Sequence, residues 1–300
     1  MTVQTPAMPL VSDSGVSRND GVLLEFDGVG FCYPDGNAGL DDCSLRIMRG
    51  SRNALIGANG AGKTTLFQNA NGLLRPQRGV IRHAGQPIDY SRAGLRRLRS
   101  EVGLVFQNPD QQLFSASVRE DVSFGPLNLG LDMETARQRV NAALKAVSME
   151  RFADRPVHNL SFGQKKRVCI AGVLAMRPQL LILDEPMAGL DHAMRSELLA
   201  VLDDLHASGI TLLLATHDID FAYRWADRIH LIAGGRCTAA FDATTLPDNA
   251  TALAAAGLPV PGLVELHRLL AERKVLPANS APRSIGDLIA LLNMTVKECQ

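Results

Sequence analysis

Neither sign of charge dominates the sequence, and no cysteine pair has the spacing of a metal site. Lys plus Arg and Asp plus Glu each total 31 in 300 residues, so the formal net charge is zero. A broad basic surface of the kind that binds nucleic acid is not expected, and no nucleic-acid partner is predicted. The five cysteines are widely spaced without a CxxC pair, which argues against zinc and indicates reduced thiols.

Long apolar runs are also missing. Segments such as 180–183 and 212–215 are far shorter than the roughly 20 residues that a membrane-spanning helix needs. The first twenty residues have no basic segment followed by an apolar one, so no secretory signal is predicted, and residues 1–21 are interpreted as a flexible tail. The hydrophobic content of 46% nevertheless supports ordinary globular folding.

Apolar–polar alternation at the start of the chain gives way to short, fully apolar strands separated by helices. The first pattern predicts antiparallel strands around the turn sequence 33–36, and the second predicts a parallel sheet covered by helices. Helical spacing between about 110 and 175 predicts an inserted α-helical subdomain. Strands are expected at 22–31, 43–47, 54–56, 180–183 and 211–215, and helices at 63–71, 131–147, 193–207 and 263–272.

These patterns predict one α/β domain at 22–242 and a C-terminal extension at 243–300. The extension is rich in Ala, Pro and Leu, and Pro259 and Pro261 precede its predicted helix. No internal repeat is visible, which argues against two fused copies of one domain.

Residues 57–64 fit the pattern G-x-x-x-x-G-K-[ST] between a predicted strand and a predicted helix. Small residues let main-chain N–H groups surround phosphate oxygens at a helix N-terminus. Lys63 is expected to reach the β and γ phosphates of ATP, and the Thr64 hydroxyl to hold Mg²⁺. The fold class is thus α/β, a P-loop NTPase core with a mixed sheet. The predicted phosphate-binding residues are Gly57, Asn59, Gly60, Ala61, Gly62, Lys63, Thr64 and Thr65.

A second element of the same chemistry ends the apolar strand 180–183. Asp184 follows at the carboxyl edge of the sheet, where ligands bind, and is predicted to serve Mg²⁺. Glu185 is predicted to act as general base by polarising the water that attacks the γ phosphate. The alternative interpretation is that Asp184 and Glu185 are two solvated acids at the end of a strand. The phosphate-binding pattern at 57–64 argues against this alternative, because two elements of the same chemistry occur in one sequence.

Residues 160–164 read Leu-Ser-Phe-Gly-Gln and are followed by a basic triplet and an apolar helix. They match the LSGGQ signature of ABC ATPases, and residues 22–240 resemble an ABC ATP-binding subunit with its motifs in the family's order. The resemblance implies a head-to-tail dimer in which Ser161 and Gly163 of one subunit meet the γ phosphate held by the other. Phe162 replaces the usual glycine, so altered packing of this loop is expected.

The resemblance extends to four further positions. Gln107 matches the Q-loop glutamine, which contacts Mg²⁺ or water, and His217 matches the switch histidine, which contacts the γ phosphate. Tyr33 matches the aromatic residue that stacks on adenine, and Asp191 matches the D-loop, which communicates across the dimer. Met187 stands where threonine is more frequent, so the hydrogen bonding of that turn is expected to differ.

Segments 31–36, 102–114 and 120–129 look like those of energy-coupling-factor ATPases, which include cobalt and nickel importers. The likeness implies a second ATPase subunit, identical or paralogous, a transmembrane coupling protein and a substrate-binding membrane component. It also implies a peripheral position on the cytoplasmic face of the cell membrane, with segment 107–129 docking the coupling protein. The same motor could instead serve vitamin uptake.

Two other classes of protein share these motifs. Soluble ABC ATPases that act on nucleic acid or ribosomes usually carry long coiled coils or two ATPase units, and neither pattern is visible in the sequence. A regulatory module without turnover would be favoured by loss of Glu185 or His217, and both residues are present. Transport is therefore the predicted function.

Overall fold

The structure, a computed structural model, describes residues 21–298. The predicted tail at 1–21 lies outside this range except for Gly21. The described chain forms two sheets, a lobe of helices and a group of C-terminal helices. Across residues 21–298, none of the helices combines the length and the apolar character that a membrane crossing requires.

Most helices and strands of the described chain lie in an α/β arrangement interrupted by a helical segment. The strands are β1 (Val22–Cys32), β2 (Ala38–Met48), β3 (Arg52–Ile56), β4 (Arg78–His83), β5 (Gln86–Pro87), β6 (Val102–Val105), β7 (Leu180–Leu183), β8 (Thr211–Thr216), β9 (Arg228–Ala233) and β10 (Arg236–Asp242). The helices are α1 (Lys63–Ala70), α2 (Arg92–Glu101), α3 (Val118–Asn128), α4 (Met133–Ala146), α5 (Phe162–Leu174), α6 (His192–Ala207), α7 (Ile219–Trp225), α8 (Ala250–Ala255), α9 (Gly262–Glu272) and α10 (Ile285–Glu298).

The first sheet is antiparallel and has the strand order β2-β1-β4-β5. In its longest pairing Val22 of β1 lies opposite Met48 of β2. The turn between these strands is closed by a hydrogen bond from Gly36 N to the Tyr33 carbonyl oxygen at 2.9 Å. The sequence predicted β2 only from residue 43, because the acidic residues near the true start of the strand interrupt the apolar–polar alternation.

The second sheet has the order β10-β9-β3-β8-β7-β6 and is parallel apart from the β9–β10 pair. Its strands β7 and β8 are fully buried, because α5 and α6 pack on one face of this sheet, and the antiparallel sheet and α1 cover the other. The carboxyl ends of β3, β6, β7 and β8 meet at one edge of the sheet. The register there sets Ile56 opposite Thr216, Leu183 opposite Leu214, and Val105 opposite Leu183.

The predicted helical insertion is confirmed: α3, α4 and α5 pack against one another between β6 and β7. Each helix begins at a polar cap, because Ser117, Asp132 and Ser161 accept a hydrogen bond from the main-chain N–H three residues later. Apolar residues at helical spacing, such as Val122 and Leu144, join the core that the parallel sheet also enters. The lobe is thereby attached to the sheet next to β6.

The residues after β10 fold back onto α7. The Tyr223 hydroxyl donates to the Pro282 carbonyl oxygen at 3.0 Å, and Arg283 Nε donates to the Tyr223 carbonyl oxygen at 2.8 Å. Gly262 N at the start of α9 donates to Asp220 Oδ1 at 2.9 Å. The helix predicted at 263–272 is confirmed as α9, which begins one residue earlier.

Candidate active site

Glycines shape the loop between β3 and α1. A Cβ added at Gly57 would lie 2.2 Å from the Ile232 carbonyl oxygen, and one at Gly62 would lie 2.6 Å from the Gly39 carbonyl oxygen. Gly60 and Gly62 have φ angles of 79° and 107°, in the left-handed region that favours glycine. A tight loop of this kind at a helix N-terminus offers main-chain N–H groups to an anion.

Lys63 is a buried cation within this loop. Its side chain is 7% exposed, and Nζ donates to the Gly57 carbonyl oxygen at 2.7 Å. The Ala61 carbonyl oxygen accepts a hydrogen bond from Gly235 N at 2.9 Å, so the β9–β10 turn supports the loop. Asn59, in the same loop, is exposed.

Thr64 and Asp184 bring a hydroxyl and a carboxylate together at the sheet edge. Thr64 Oγ1 donates to Asp184 Oδ2 at 2.7 Å. Asp184 follows β7 directly, and its burial raises the pKa of its carboxyl, which the Thr64 hydrogen bond partly offsets. Oxygen ligands of this kind are those that Mg²⁺ takes in nucleotide sites, so the pair fits the predicted ion.

Glu185 is positioned by an unusual backbone conformation and two basic side chains. Its φ of 46° lies in the left-handed region, which costs a non-glycine residue about 1 kcal/mol. Its Oε2 lies 2.8 Å from Nδ1 of His217, and its Oε1 lies 3.7 Å from Nζ of Lys63. The Glu185 side chain is 10% exposed and that of His217 is 69% exposed, so a buried carboxylate reaches an imidazole that is open to solvent.

Gln107 lies two residues beyond β6, with an exposed side chain. A hydrogen bond from Asp184 N to the Val105 carbonyl oxygen, 3.0 Å long, joins the ends of β6 and β7. Gln107 therefore lies at the same sheet edge as the Asp184 carboxylate.

Tyr33 lies beside the first turn of α1. Its hydroxyl oxygen is 2.9 Å from Thr65 Oγ1, and its ring contacts Phe31 edge to face with centroids 5.1 Å apart. The ring is half-buried and next to the phosphate loop. Its stacking on adenine stays a prediction.

The helix starts at Ser161 and Asp191 lie side by side. Ser161 Oγ accepts from Gln164 N at 3.3 Å, and Gln164 Oε1 accepts in return from Ser161 N at 3.0 Å, which forms a capping box. Asp191 Oδ1 accepts from Met194 N at 2.8 Å. A Cβ at Gly163 would lie 2.8 Å from Met194 Sδ, so α5 and α6 are in close contact here. Within residues 21–298, no hydrogen bond or ion pair joins this group to the phosphate loop.

Comparison with known proteins assigns the chain to a family. The sequence profile of a family described as ABC transporter matches residues 40–188. The chain is 43% identical over 255 residues to the energy-coupling factor transporter ATP-binding protein EcfA of Methanocaldococcus jannaschii, covering 85% of this chain and 91% of that protein. It is 45% identical over 269 residues to the cobalt import ATP-binding protein CbiO of Rhodobacter capsulatus, covering 89% and 96%. The chain belongs to the energy-coupling-factor ATP-binding subunits of ABC transporters.

A solved structure agrees with this assignment to the ABC ATP-binding subunits. CbiO1 of Clostridium perfringens, part of the ABC transporter complex CbiONQ, matches with a TM-score of 0.71 at 43% identity, covering 83% of this chain and 100% of that chain. The predicted fold class, a mixed α/β fold with an antiparallel and a parallel part plus helices, is confirmed. ABC ATP-binding subunits are ATPases coupled to transport, and they function as dimers.

Two positions of this ABC subunit depart from the usual residues, and the structure shows what their side chains touch. Phe162, where glycine is usual, is 41% exposed, and its ring lies 3.0 Å from the Cβ position at Gly189. Met187, where threonine is more frequent, packs against the large apolar core that the helical lobe and the sheet share. Both side chains thus make apolar contacts around the segment between β7 and α6.

Gln112, which no sequence pattern singles out, joins two segments next to the candidate site of this ABC subunit. Its Oε1 accepts from Phe106 N at 3.1 Å, and its Nε2 donates to the Cys169 carbonyl oxygen at 3.4 Å. The side chain therefore connects the segment that carries Gln107 with α5. An isolated glutamine in a loop gives no signal of such a contact in the sequence.

Proposed function

We propose that this subunit hydrolyses ATP at the carboxyl edge of its parallel sheet and thereby drives the import of cobalt or nickel ions through membrane partners. The proposal rests on one observation: Lys63, Glu185 and His217 lie together beside the Thr64–Asp184 pair. This cluster combines a cation for phosphate, a carboxylate for water and oxygen ligands for a metal ion.

In the proposed reaction, ATP and water give ADP and phosphate. Glu185 orients a water molecule for in-line attack on the γ phosphorus and accepts its proton as general base. His217 binds Glu185 through Nδ1, so Nε2 is the ring nitrogen that it offers to the γ phosphate. Lys63 compensates the charge of the β and γ phosphates, and Tyr33 stacks on adenine.

Thr64, Asp184 and Gln107 are the residues proposed to hold Mg²⁺. When bound, this ion supplies positive charge to the phosphate oxygens. The hydrogen bond between Thr64 and Asp184 supports the assignment because it keeps two oxygen ligands adjacent before any ion arrives.

The complete site is proposed to need a second ATPase subunit, identical or paralogous. Ser161 caps α5 and is exposed, so the start of this helix is accessible to a phosphate, whereas the missing side chain of Gly163 makes room for Met194 of α6. The N-terminus of α5 would meet the γ phosphate held by the other subunit, and Asp191 would communicate between the two sites. The close contact of the two helix starts supports a shared role.

An apolar groove next to Gln107 is proposed as the docking site for the transmembrane coupling protein. Its volume is about 610 Å³, and its lining includes Leu73, Phe114 and Phe124, which are 45%, 65% and 52% exposed. The rings of Phe114 and Phe124 meet edge to face with centroids 4.8 Å apart. Exposed aromatic anchors in a groove suit the apolar face of an amphipathic helix. Basic residues of α2 also line the groove, namely Arg92, Arg96 and Arg99.

Cobalt or nickel is proposed as the cargo because the relative from Rhodobacter capsulatus is named for cobalt import. In this proposal the substrate-binding membrane component selects the ion, and the ATPase is peripheral on the cytoplasmic face of the membrane. A vitamin would be the cargo if that component binds a vitamin instead.

The proposal is tested by copurifying the full chain from membranes, identifying the bound chains by mass spectrometry, and measuring uptake of cobalt, nickel and vitamins by that assembly. We expect a second ATPase subunit, a small membrane coupling protein and metal uptake that requires ATP. Ribosomal or DNA-bound partners alone would overturn a transport function, whereas vitamin uptake would replace the cargo.

The active-site assignment is tested separately by Glu185→Gln, with Glu265→Gln as control because Glu265 is exposed on α9. We expect Glu185→Gln to retain ATP, hold the dimer closed and lose at least about 100-fold in kcat. Rapid turnover by this variant would contradict the general-base assignment.

A further inference from the structure

Lys166, in α5, has a side chain that faces three main-chain carbonyl groups. The residue is 3% exposed. Its Nζ lies 3.2 Å from the Glu185 carbonyl oxygen and 2.8 Å from those of Pro186 and Ala188. A lysine ammonium has three N–H donors and no acceptor, so each donor has one carbonyl partner. All three partners belong to the segment between β7 and α6.

Of these three carbonyl groups, only that of Glu185 accepts a hydrogen bond from a main-chain N–H among the described residues. Glu185 and Gly189 both have left-handed φ angles, 46° and 74°. Inside the segment, Ala188 N donates to the Glu185 carbonyl oxygen at 3.1 Å. Carbonyl groups that are buried without a donor are destabilising. Lys166 therefore supplies hydrogen bonds that hold an irregular main chain in one conformation.

The ammonium of Lys166 is enclosed yet remains charged at neutral pH. Burial lowers its pKa to about 8, an effect that nearby Cys169 and Glu185 oppose. The Phe162 ring covers it, with the ring centroid 5.2 Å from Nζ, and the face of an aromatic ring attracts a cation. Phe162, which stands where glycine is usual, thus completes the enclosure of the Lys166 ammonium.

We propose that Lys166 is a positioning residue that fixes the main chain at Glu185 and so holds the Glu185 carboxylate against His217. The inference rests on the proposed role of Glu185 in hydrolysis. Lys166 lies five residues after Ser161 in the signature segment and its helix, so a displacement of the start of α5 would reach Glu185 through these hydrogen bonds. The start of α5 is proposed to meet the nucleotide that the other subunit binds. Lys166 thereby connects this helix to Glu185, which is proposed to act on the nucleotide bound by its own subunit.

The test compares Lys166→Met with Lys166→Gln in the full chain. Methionine and glutamine side chains have similar length, but only glutamine can donate hydrogen bonds. We expect kcat for ATP hydrolysis to fall at least about tenfold in Lys166→Met while KM for ATP changes less than about twofold, because the carboxylate is misplaced and the phosphate loop is intact. Lys166→Gln should recover part of the lost kcat.

Lys145→Met is the matched control, since Lys145 is an exposed lysine in the last turn of α4 in the same lobe. It should retain the wild-type kcat. A wild-type kcat in Lys166→Met, or an equal loss in both Lys166 variants, would overturn the inference. If Lys166→Met does not fold, folded Lys166→Gln decides: a reduced kcat at unchanged KM supports the inference, and a wild-type kcat overturns it.

Glu185→Gln, measured in parallel, separates this inference from the proposed function. Loss of turnover in Glu185→Gln together with full turnover in Lys166→Met would overturn only the role of Lys166. Full turnover in Glu185→Gln would overturn the active-site assignment on which that role depends.

Discussion

Nδ1 of His217 lies 2.8 Å from Oε2 of Glu185, although the two residues follow different strands of the parallel sheet. The imidazole is largely exposed and the carboxylate is buried, so the ring can be removed without opening the core. We expect His217→Ala to fold normally and to lose at least about 100-fold in kcat for ATP hydrolysis. Steady-state kinetics measure this loss.

The control for His217→Ala is His206→Ala, which removes a half-buried imidazole from the last turn of α6. Its kcat should equal that of the wild type. A His217→Ala variant with wild-type turnover would exclude this imidazole from the reaction.

The Thr64 hydroxyl is expected to control the affinity for Mg²⁺. Thr64→Val keeps the shape of the side chain but removes the hydrogen bond to Asp184 and one oxygen ligand. The Mg²⁺ concentration for half-maximal ATPase activity should rise at least about tenfold, since loss of a supporting contact typically costs 10–100-fold in metal affinity. Thr238→Val, at an exposed position of β10, should leave the Mg²⁺ dependence unchanged.

His230 is expected to make the fold sensitive to acid. It is buried in β9, where Nε2 donates to Asn53 Oδ1 at 3.1 Å, and burial lowers its pKa to about 4. In the unfolded chain the ordinary pKa is 6.5. Between these values the unfolded state binds a proton that the folded state excludes, so stability falls as pH decreases from 6.5 toward 4.

The size of this effect follows from the pKa difference, at about 1.4 kcal/mol per pH unit. The free energy of unfolding should fall by about 2 kcal/mol between pH 6.5 and pH 5 through this residue. His230→Gln keeps a donor for Asn53 but does not titrate, so it should flatten the pH dependence in thermal or urea unfolding. His158→Gln, at an exposed position, should retain the wild-type slope.

Arg283 is expected to hold the C-terminal helices on α7. Its guanidinium donates to the carbonyl oxygens of Tyr223, Arg224 and Ala226. Arg283→Met should lower the free energy of unfolding by about 2 kcal/mol and speed proteolysis within residues 243–298, while ATP affinity is kept. Arg273→Met, an exposed position at the end of α9, should do neither.

The local motifs could be predicted from the sequence because their function depends on residues that are close in the chain. The glycines at 57–62 favour a tight loop between a strand and a helix, and an apolar strand followed by Asp184 and Glu185 is typical of a nucleotide site. The pattern therefore gave the phosphate loop, the strand β7 and the helix α6 within one or two residues.

Contacts between distant segments could not be predicted in this way. The three carbonyl partners of Lys166 lie 19 to 22 residues away, and their orientation depends on backbone angles at Glu185 and Gly189 that the sequence does not specify. Gln112 and Arg283 likewise bind main-chain carbonyl groups. Every residue has such a group, so the residue types in the sequence do not indicate which carbonyl group is the partner. The sequence analysis also did not predict strands β9 and β10. The C-terminal residues fold onto α7 through side chains, such as Tyr223 and Arg283, that belong to no recognisable sequence motif.

The left-handed backbone at Glu185 limits what can replace this residue. A glycine would relieve the backbone strain of about 1 kcal/mol. It would also leave the buried Lys63 ammonium without the carboxylate that lies 3.7 Å away, and loss of the partner of a buried charge costs about 3–5 kcal/mol. Relief of backbone strain and compensation of a buried charge therefore oppose each other at this one position, and the carboxylate is the more stable choice.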